Sequence, residues 1–81
     1  MIKSPLEDIH FPQYRKYNNH KNYFKIYSAL EFEEVQVIGT KHIRRSVKAV
    51  QFPEKNLVID LLLLKYENIL VINREEYERL K

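Results

Sequence analysis

An alternation of apolar and polar positions marks the first third of the chain. Phe24 and Ile26 project to one side of an extended segment, while the residues between and around them are polar or amphipathic. The preceding stretch, 18–22, is rich in Asn, which tolerates positive φ and bonds to its own backbone in turns. The pattern predicts a hairpin of two strands, Gln13–Tyr17 and Tyr23–Tyr27.

A capping signal follows this predicted hairpin. The Ser28 hydroxyl and the Glu31 carboxylate stand three residues apart, which is the spacing of a capping box at a helix N-terminus. Gly39 stands where a helix commonly ends on a residue with positive φ. We therefore expect a helix over 29–37, with an extended conformation of 35–38 as the alternative, because the apolar positions form no single stripe.

The stretch 41–52 fits two patterns about equally well. As a strand it directs Ile43 and Val47 inward, whereas as a helix it aligns Ile43, Val47 and Val50 on one stripe. Pro53 lies just beyond, and the flanking residues have the composition of β-structure. The strand is therefore the preferred prediction for 41–52.

The last third of the chain contains two apolar runs. Leu57–Leu64 is interrupted only by Asp60, and this length and composition favour a central strand buried on both faces. Ile69–Ile72 follows after a four-residue turn and is predicted to pair with it as an antiparallel hairpin. Asn73 is then the expected N-cap of a final helix. The predicted core positions of that helix are Tyr77 and Leu80.

These elements together predict an α+β fold in the order β(β)-α-β-β-β-α. We expect a mostly antiparallel sheet of four to five strands with two helices packed on one face. Residues 1–13, which include Pro5 and Pro12, are interpreted as an N-terminal arm. Residues 14–81 are interpreted as a single α+β domain, because a chain of 81 residues seldom holds two.

Composition narrows the chemistry. The chain has no Cys, which excludes disulfides, thiolate nucleophiles and cysteine-based metal sites, and its one Gly cannot form a glycine-rich phosphate loop. The N-terminus lacks the apolar run of a secretory signal. The longest apolar stretch, Leu61–Leu64, is far shorter than the ~20 residues of a membrane span. We therefore expect a cytoplasmic protein with no membrane association.

Catalytic and metal-binding patterns are weak. The acid Asp60 stands out in an apolar run, and it is interpreted as solvated or paired with Arg45 rather than as a general base. The histidines have no helical ligand spacing, and they fall in the arm, a turn and a strand. They are His10, His20 and His42. We predict no enzyme, no metal, no cofactor and no small-molecule substrate.

A mixture of cations and aromatic rings is the clearest binding signal. Such mixtures bind single-stranded nucleic acid, because Lys and Arg contact phosphates while rings stack on bases. The candidate residues are Tyr14, Arg15, Lys16, Tyr17, Lys21, Tyr23, Lys25, Tyr27, Arg44 and Lys48. Exposed sheet faces carry Lys and Tyr for structural reasons too. If Lys25, Arg44 and Lys48 share one face of the sheet, the nucleic-acid hypothesis ranks above its competitor, and if they are scattered it loses its support.

That competitor is protein binding. The Leu-rich runs offer more apolar surface than two short helices are expected to cover, and self-association is a common way to bury such an excess. The leading interpretation is therefore a small non-enzymatic binding module. It would form a homodimer or bind a protein partner through its sheet. The alternative is a nucleic-acid-binding accessory protein that uses the basic and aromatic residues.

Overall fold

The computed structural model describes residues 9–80. Within them the chain forms five strands and two helices. In chain order these are β1 (Gln13–Tyr17), β2 (Asn22–Ser28), β3 (Glu31–Ile38), β4 (Lys41–Lys48), α1 (Glu54–Leu62), β5 (Ile69–Val71) and α2 (Arg74–Glu78). The strands form one open sheet in the order β4-β3-β2-β1-β5, with every neighbouring pair antiparallel. The predicted α+β class and the antiparallel five-stranded sheet are confirmed.

The two helices lie on opposite faces of this sheet, so the prediction of one helical face is wrong. Side chains alternate between the faces along each strand. One face, called here the α1 face, carries Phe24, Ile26 and Phe32, which cluster with the buried α1 residues. The other, called here the α2 face, carries Tyr14, Tyr23 and Val35, which cluster with α2 residues. The α1 residues are Val58, Leu61 and Leu62, and the α2-side residues are Tyr77 and Leu80.

The predicted helix over 29–37 is a strand, β3. Phe32 and Val35 are both fully buried, but against opposite faces, because β3 lies inside the sheet between β2 and β4. The Ser28 hydroxyl accepts the Leu30 N–H at 3.1 Å in the turn before β3 and does not cap a helix. Gly39 does have positive φ, +61°, but it opens the two-residue turn that joins β3 to β4.

The predicted strand Leu57–Leu64 is mostly helix α1. Val58, Leu61 and Leu62 are buried while Ile59 and Leu63 are exposed, which is the spacing of one helical stripe. Because this run is helical, β5 does not pair with it. β5 pairs with β1 instead. The structure therefore replaces the expected C-terminal hairpin with a contact between the two ends of the described chain.

Helix α1 ends in a Schellman motif that also explains Asp60. Leu64 has a positive φ of 52°. The Lys65 N–H donates to the Asp60 carbonyl at 3.0 Å and the Leu64 N–H donates to the Leu61 carbonyl at 3.4 Å. The side chains of Lys65 and Asp60 approach to 3.8 Å as an ion pair. The one acid in the apolar run thus pairs with Lys65 and not with Arg45.

Other predictions are confirmed. The β1–β2 hairpin and the short strand β5 are present, and the strand predicted over 41–52 is present as β4 but ends at Lys48. The Asn73 side chain caps α2 by accepting the Glu76 N–H at 2.8 Å. Tyr77 and Leu80 are buried, as expected for its core positions. Of the predicted arm, residues 1–8 lie outside the described part of the chain, and Ile9 packs against the α1-face cluster.

Candidate functional site

The open edge of β4 is the longest strand surface that the sheet offers. β4 has eight residues, stands at the end of the strand order, and is exposed at every position except the half-buried Val47. The Ala49 N–H donates to the Leu30 carbonyl at 2.7 Å, so the odd-numbered residues direct their backbone groups to β3. The even-numbered residues therefore direct theirs to the open edge. They are His42, Arg44, Ser46 and Lys48.

Four cations lie on β4, and two of them bind carboxylates of β3. Arg45 donates from Nε and Nη2 to Glu34 Oε1 at 3.0 and 2.8 Å. Arg44 donates from Nη1 to Glu33 Oε1 at 3.1 Å, and also to the Leu80 carbonyl. The other two, Lys41 and Lys48, have no ion-pair partner among residues 9–80. They leave positive charge at both ends of the strand.

Apolar side chains accompany these charges on the α1-face side of the edge. Ile43 is 48% exposed and Val47 is half-buried, and the two stand on the same side of β4 because they are four residues apart. Ile38, opposite Lys41 near the turn, is exposed as well. The edge therefore combines free backbone groups, terminal cations and an apolar row.

A polar depression of about 490 Å³ opens on the α2 face. Its lining residues are Lys25, Tyr27, Glu33, Arg44, Tyr77 and Glu78. The Tyr77 hydroxyl donates to Glu33. Burial raises the pKa of Tyr77, and the hydrogen bond to Glu33 and its negative charge raise it further. The Lys25 ammonium lies 5.1 Å from the Tyr27 ring centroid, so the depression presents a cation beside an exposed ring.

The structure brings together only part of the predicted nucleic-acid site. Lys25, Arg44 and Lys48 do share a face, because the register places all three on the α2 face. However, α2 brings acidic residues to the same face, and Lys16 pairs with Glu76 at 2.6 Å. Arg44 is already bonded to Glu33, so the shared face is close to electrically balanced.

The predicted stacking tyrosines are largely covered. Tyr14 and Tyr23 are buried beneath α2, and Tyr17 packs edge-on against Phe24 on the α1 face. Tyr27, 40% exposed, is the most open of the four rings. Lys21 lies exposed in the β1–β2 turn. Few of the predicted nucleic-acid-binding residues on the α2 face are therefore accessible.

Arg15 has a different place from the one that the sequence suggested. It is 5% exposed on the α1 face, where Nε donates to the Leu61 carbonyl at 2.9 Å and Nη1 to the Tyr14 carbonyl at 2.8 Å. Burial lowers the pKa of Arg15. At the Leu61 and Leu62 carbonyls Arg15 adds a charged donor to the C-terminal end of α1, where the helix dipole favours positive charge. No sequence pattern links Arg15 to a helix so distant along the chain.

Residues 9–80 contain no group of three His, Asp or Glu side chains able to hold a metal ion. Within the same range, every buried side-chain nitrogen or oxygen has a hydrogen-bond partner. Neither α1 nor α2 has the length and apolar character needed to cross a bilayer.

Comparison with known proteins gives no match: no protein-family model, no curated protein and no solved structure matches this chain.

Proposed function

We propose that this protein is a binding module that receives an extended segment of another protein as a sixth strand beside β4. The observation that carries the proposal is the exposed eight-residue edge of β4. Extended peptides add to open sheet edges through main-chain hydrogen bonds, while side-chain contacts supply specificity. Four residues of β4 present backbone groups for this pairing.

A second copy of the same chain fits this edge poorly. Because only the even-numbered residues face the open edge, the two-fold antiparallel registers of β4 with itself that overlap most set either Arg44 or Arg45 opposite the same residue of the second copy. Like charges directly opposite one another destabilise a strand pair. Cations on an edge strand are also a common defence against edge-to-edge association. A chain of different sequence is therefore the proposed occupant, and a homodimer is an outcome that the test must detect.

The test compares two variants at one position. Ser46→Pro removes an N–H that faces the open edge and leaves the β3-facing groups in place, whereas Ser46→Ala alters only the side chain. The probe is a capped synthetic peptide with the β3 sequence, residues 31–38. We expect it to shift the amide resonances of His42, Arg44 and Lys48 in the Ser46→Ala protein and to bind Ser46→Pro about ten-fold more weakly, since the proline removes an edge hydrogen bond and its ring obstructs the added strand.

Equal binding of the peptide by the two variants would contradict strand addition. Both variants must retain the wild-type circular dichroism spectrum and the resonances of the α1-face cluster. Light scattering over a range of protein concentrations accompanies the titration. A stable dimer that Ser46→Pro abolishes would show that a second copy occupies the edge.

Single-stranded nucleic acid is the second candidate ligand, favoured by the shared face of Lys25, Arg44 and Lys48. Binding of this kind weakens steeply with salt, because neutralised phosphates release counterions. The probe is a fluorescent oligothymidylate, titrated at low and at physiological salt. Affinity that falls with salt and is lost in Lys25→Gln/Lys48→Gln supports this candidate. No binding at low salt counts against it.

A further inference from the structure

The charges and apolar side chains of β4 specify the partner more closely. Resting on the proposed strand addition, we infer that the β4 edge selects an acidic β-segment. This segment carries carboxylates at both ends and near its centre, with β-branched apolar residues between them. The inference comes from the register of β4 and from the ion pairs already present on it.

Lys41 and Lys48 lead us to expect a carboxylate at each end of the partner segment. Neither lysine has an ion-pair partner among residues 9–80, and they stand at the two ends of β4. With about 3.3 Å of rise per residue, their Cα atoms lie about 23 Å apart. An added strand of the same length therefore reaches both, and residues directly opposite each other share a face of the sheet.

Ile43 and Val47 lead us to expect apolar residues at the two opposite positions of the partner segment. Both stand on the α1-face side of β4, and Ile43 is 48% exposed. Partner residues opposite these two would cover them, and Val or Ile suits such a site because branched side chains pack well on a pleated surface. The alternation fixes which residues of the partner are apolar, and a shift by one residue would place them on the wrong face.

Arg44 and Arg45 lead us to expect two carboxylates near the centre of the partner segment. Arg45 uses Nε and Nη2 on one oxygen of Glu34, and its side chain is 65% exposed. A guanidinium has five N–H donors, so Arg45 retains donors for a second carboxylate. Arg44, on the other face, donates to Glu33 and is 39% exposed. Two adjacent acids opposite this pair would continue the ion pairs across the sheet.

β3 already shows what β4 accepts on its paired side. Glu31 stands opposite Lys48, Phe32 opposite Val47 and Glu34 opposite Arg45. The same β4 side chains project from both faces toward either neighbour, so an added strand meets the same sequence of charge and apolar contact. β3 thus places acidic or apolar residues opposite these three positions, while Val35 and Ile38 stand opposite Arg44 and Lys41, and charge complementarity favours a more acidic strand at the open edge.

The test uses a designed capped peptide, Glu-Val-Thr-Glu-Glu-Val-Thr-Glu, and a control with every Glu replaced by Gln. Titration of the isotope-labelled protein follows the amides of His42, Arg44, Ser46 and Lys48. We expect the Glu peptide to bind about ten-fold more tightly than the Gln peptide at low salt, because several exposed ion pairs contribute together. Raising the ionic strength from about 0.02 M to about 0.3 M should reduce the difference by screening.

Two protein variants locate the effect. Lys41→Gln/Lys48→Gln should weaken binding of the Glu peptide several-fold and leave the Gln peptide unchanged. Lys65→Gln removes a charge beyond α1 and should change neither. Equal affinity for the two peptides would overturn the acidic partner, and if Ser46→Pro still abolishes both, strand addition itself stands. Equal binding of the Glu peptide by Ser46→Pro and Ser46→Ala would overturn strand addition and this inference together.

Discussion

The two faces of the sheet are held by different chemistry. On the α1 face, Phe24, Ile26 and Phe32 are at most 1% exposed and pack against hydrocarbon side chains of α1. On the α2 face, rings with hydroxyl groups lie among ion pairs such as Lys16–Glu76. Apolar burial is the dominant source of folding stability, whereas partly exposed polar contacts add little each. We therefore expect the α1 face to contribute more to the stability of the fold than the α2 face, whose buried cluster also contains Val35, Ile72 and Leu80.

Phe32→Ala should have the largest effect of any single change considered. The Phe32 side chain is fully buried between the sheet and α1, so its removal leaves a cavity and costs about 3–5 kcal/mol. Urea unfolding followed by circular dichroism measures the loss. A smaller loss of stability for Phe32→Ala than for Tyr77→Phe would contradict the proposed difference between the two faces.

Arg15→Met tests the one charged group inside the α1 face. The change keeps most of the side-chain volume but removes the charged donor that bonds the Leu61 and Tyr14 carbonyls. We expect a loss of about 2–3 kcal/mol, since hydrogen bonds from charged donors exceed neutral ones. Hydrogen exchange should quicken in the last turn of α1. Arg74→Met, at an exposed site on α2, is the matched control and should change stability little.

Tyr77→Phe tests the polar side of the comparison. It removes the hydroxyl that donates to Glu33 and should cost about 1 kcal/mol near neutral pH. Burial and Glu33 raise the pKa of Tyr77 in the folded protein, against about 10 in the unfolded chain. The wild type should therefore keep this stabilisation below about pH 10 and lose it progressively as the pH rises further.

The alkaline loss should be smaller in Tyr77→Phe but not absent. Tyr17 also has a raised pKa, first from burial and then from the charges of Glu34 and Asp60. Denaturation midpoints between about pH 8 and about pH 11 measure the difference, because the unfolded phenols titrate near pH 10. Parallel curves for the two proteins would show that Tyr77 contributes nothing to the pH dependence.

Leu64→Gly should give the smallest effect and the opposite sign. Leu64 holds a positive φ of 52° at the end of α1 and is 42% exposed, so a glycine relieves strain and loses little buried surface. We expect a gain of about 0.5–1 kcal/mol after the entropy of the unfolded glycine is counted. Leu63→Gly is the control: Leu63 has φ of −89°, so the same change there should destabilise.

Sequence patterns predicted four of the five strands, including the central strand β2, but not β3. The β1–β2 hairpin and α2 were predicted correctly, whereas β4 ends at Lys48 instead of at residue 52 and β5 pairs with β1 instead of with residues 57–64. β3 failed because Phe32 and Val35 are buried against opposite faces, so neither a strand nor a helix template fits. The capping-box spacing of Ser28 and Glu31 then favoured a helix, and this prediction was wrong.

The error at α1 has a different cause. A short apolar run looks alike as a buried strand or as a helix, and only its exposed positions separate the two. Val58, Leu61 and Leu62 have helical spacing, and Pro53 followed by Glu54 marks a helix start. The β4 edge was within reach of sequence reasoning as a basic strand. The position of β4 at the end of the sheet could not be predicted from the sequence, because the strand order depends on the pairing of β5 with β1, which are far apart along the chain.

The pairing of β1 with β5 also bears on the order in which the protein folds during synthesis. β1 begins at Gln13, but β5, its second neighbour, ends at Val71, so the sheet cannot be completed until residue 71 has been synthesised. The hydrogen bond from Arg15 to the Leu61 carbonyl likewise cannot form until the end of α1 has been synthesised. Nascent chains that stop before Ile69 would expose β1 as a second open edge, next to an unfilled apolar surface. Premature termination should therefore yield aggregation-prone fragments rather than smaller functional modules.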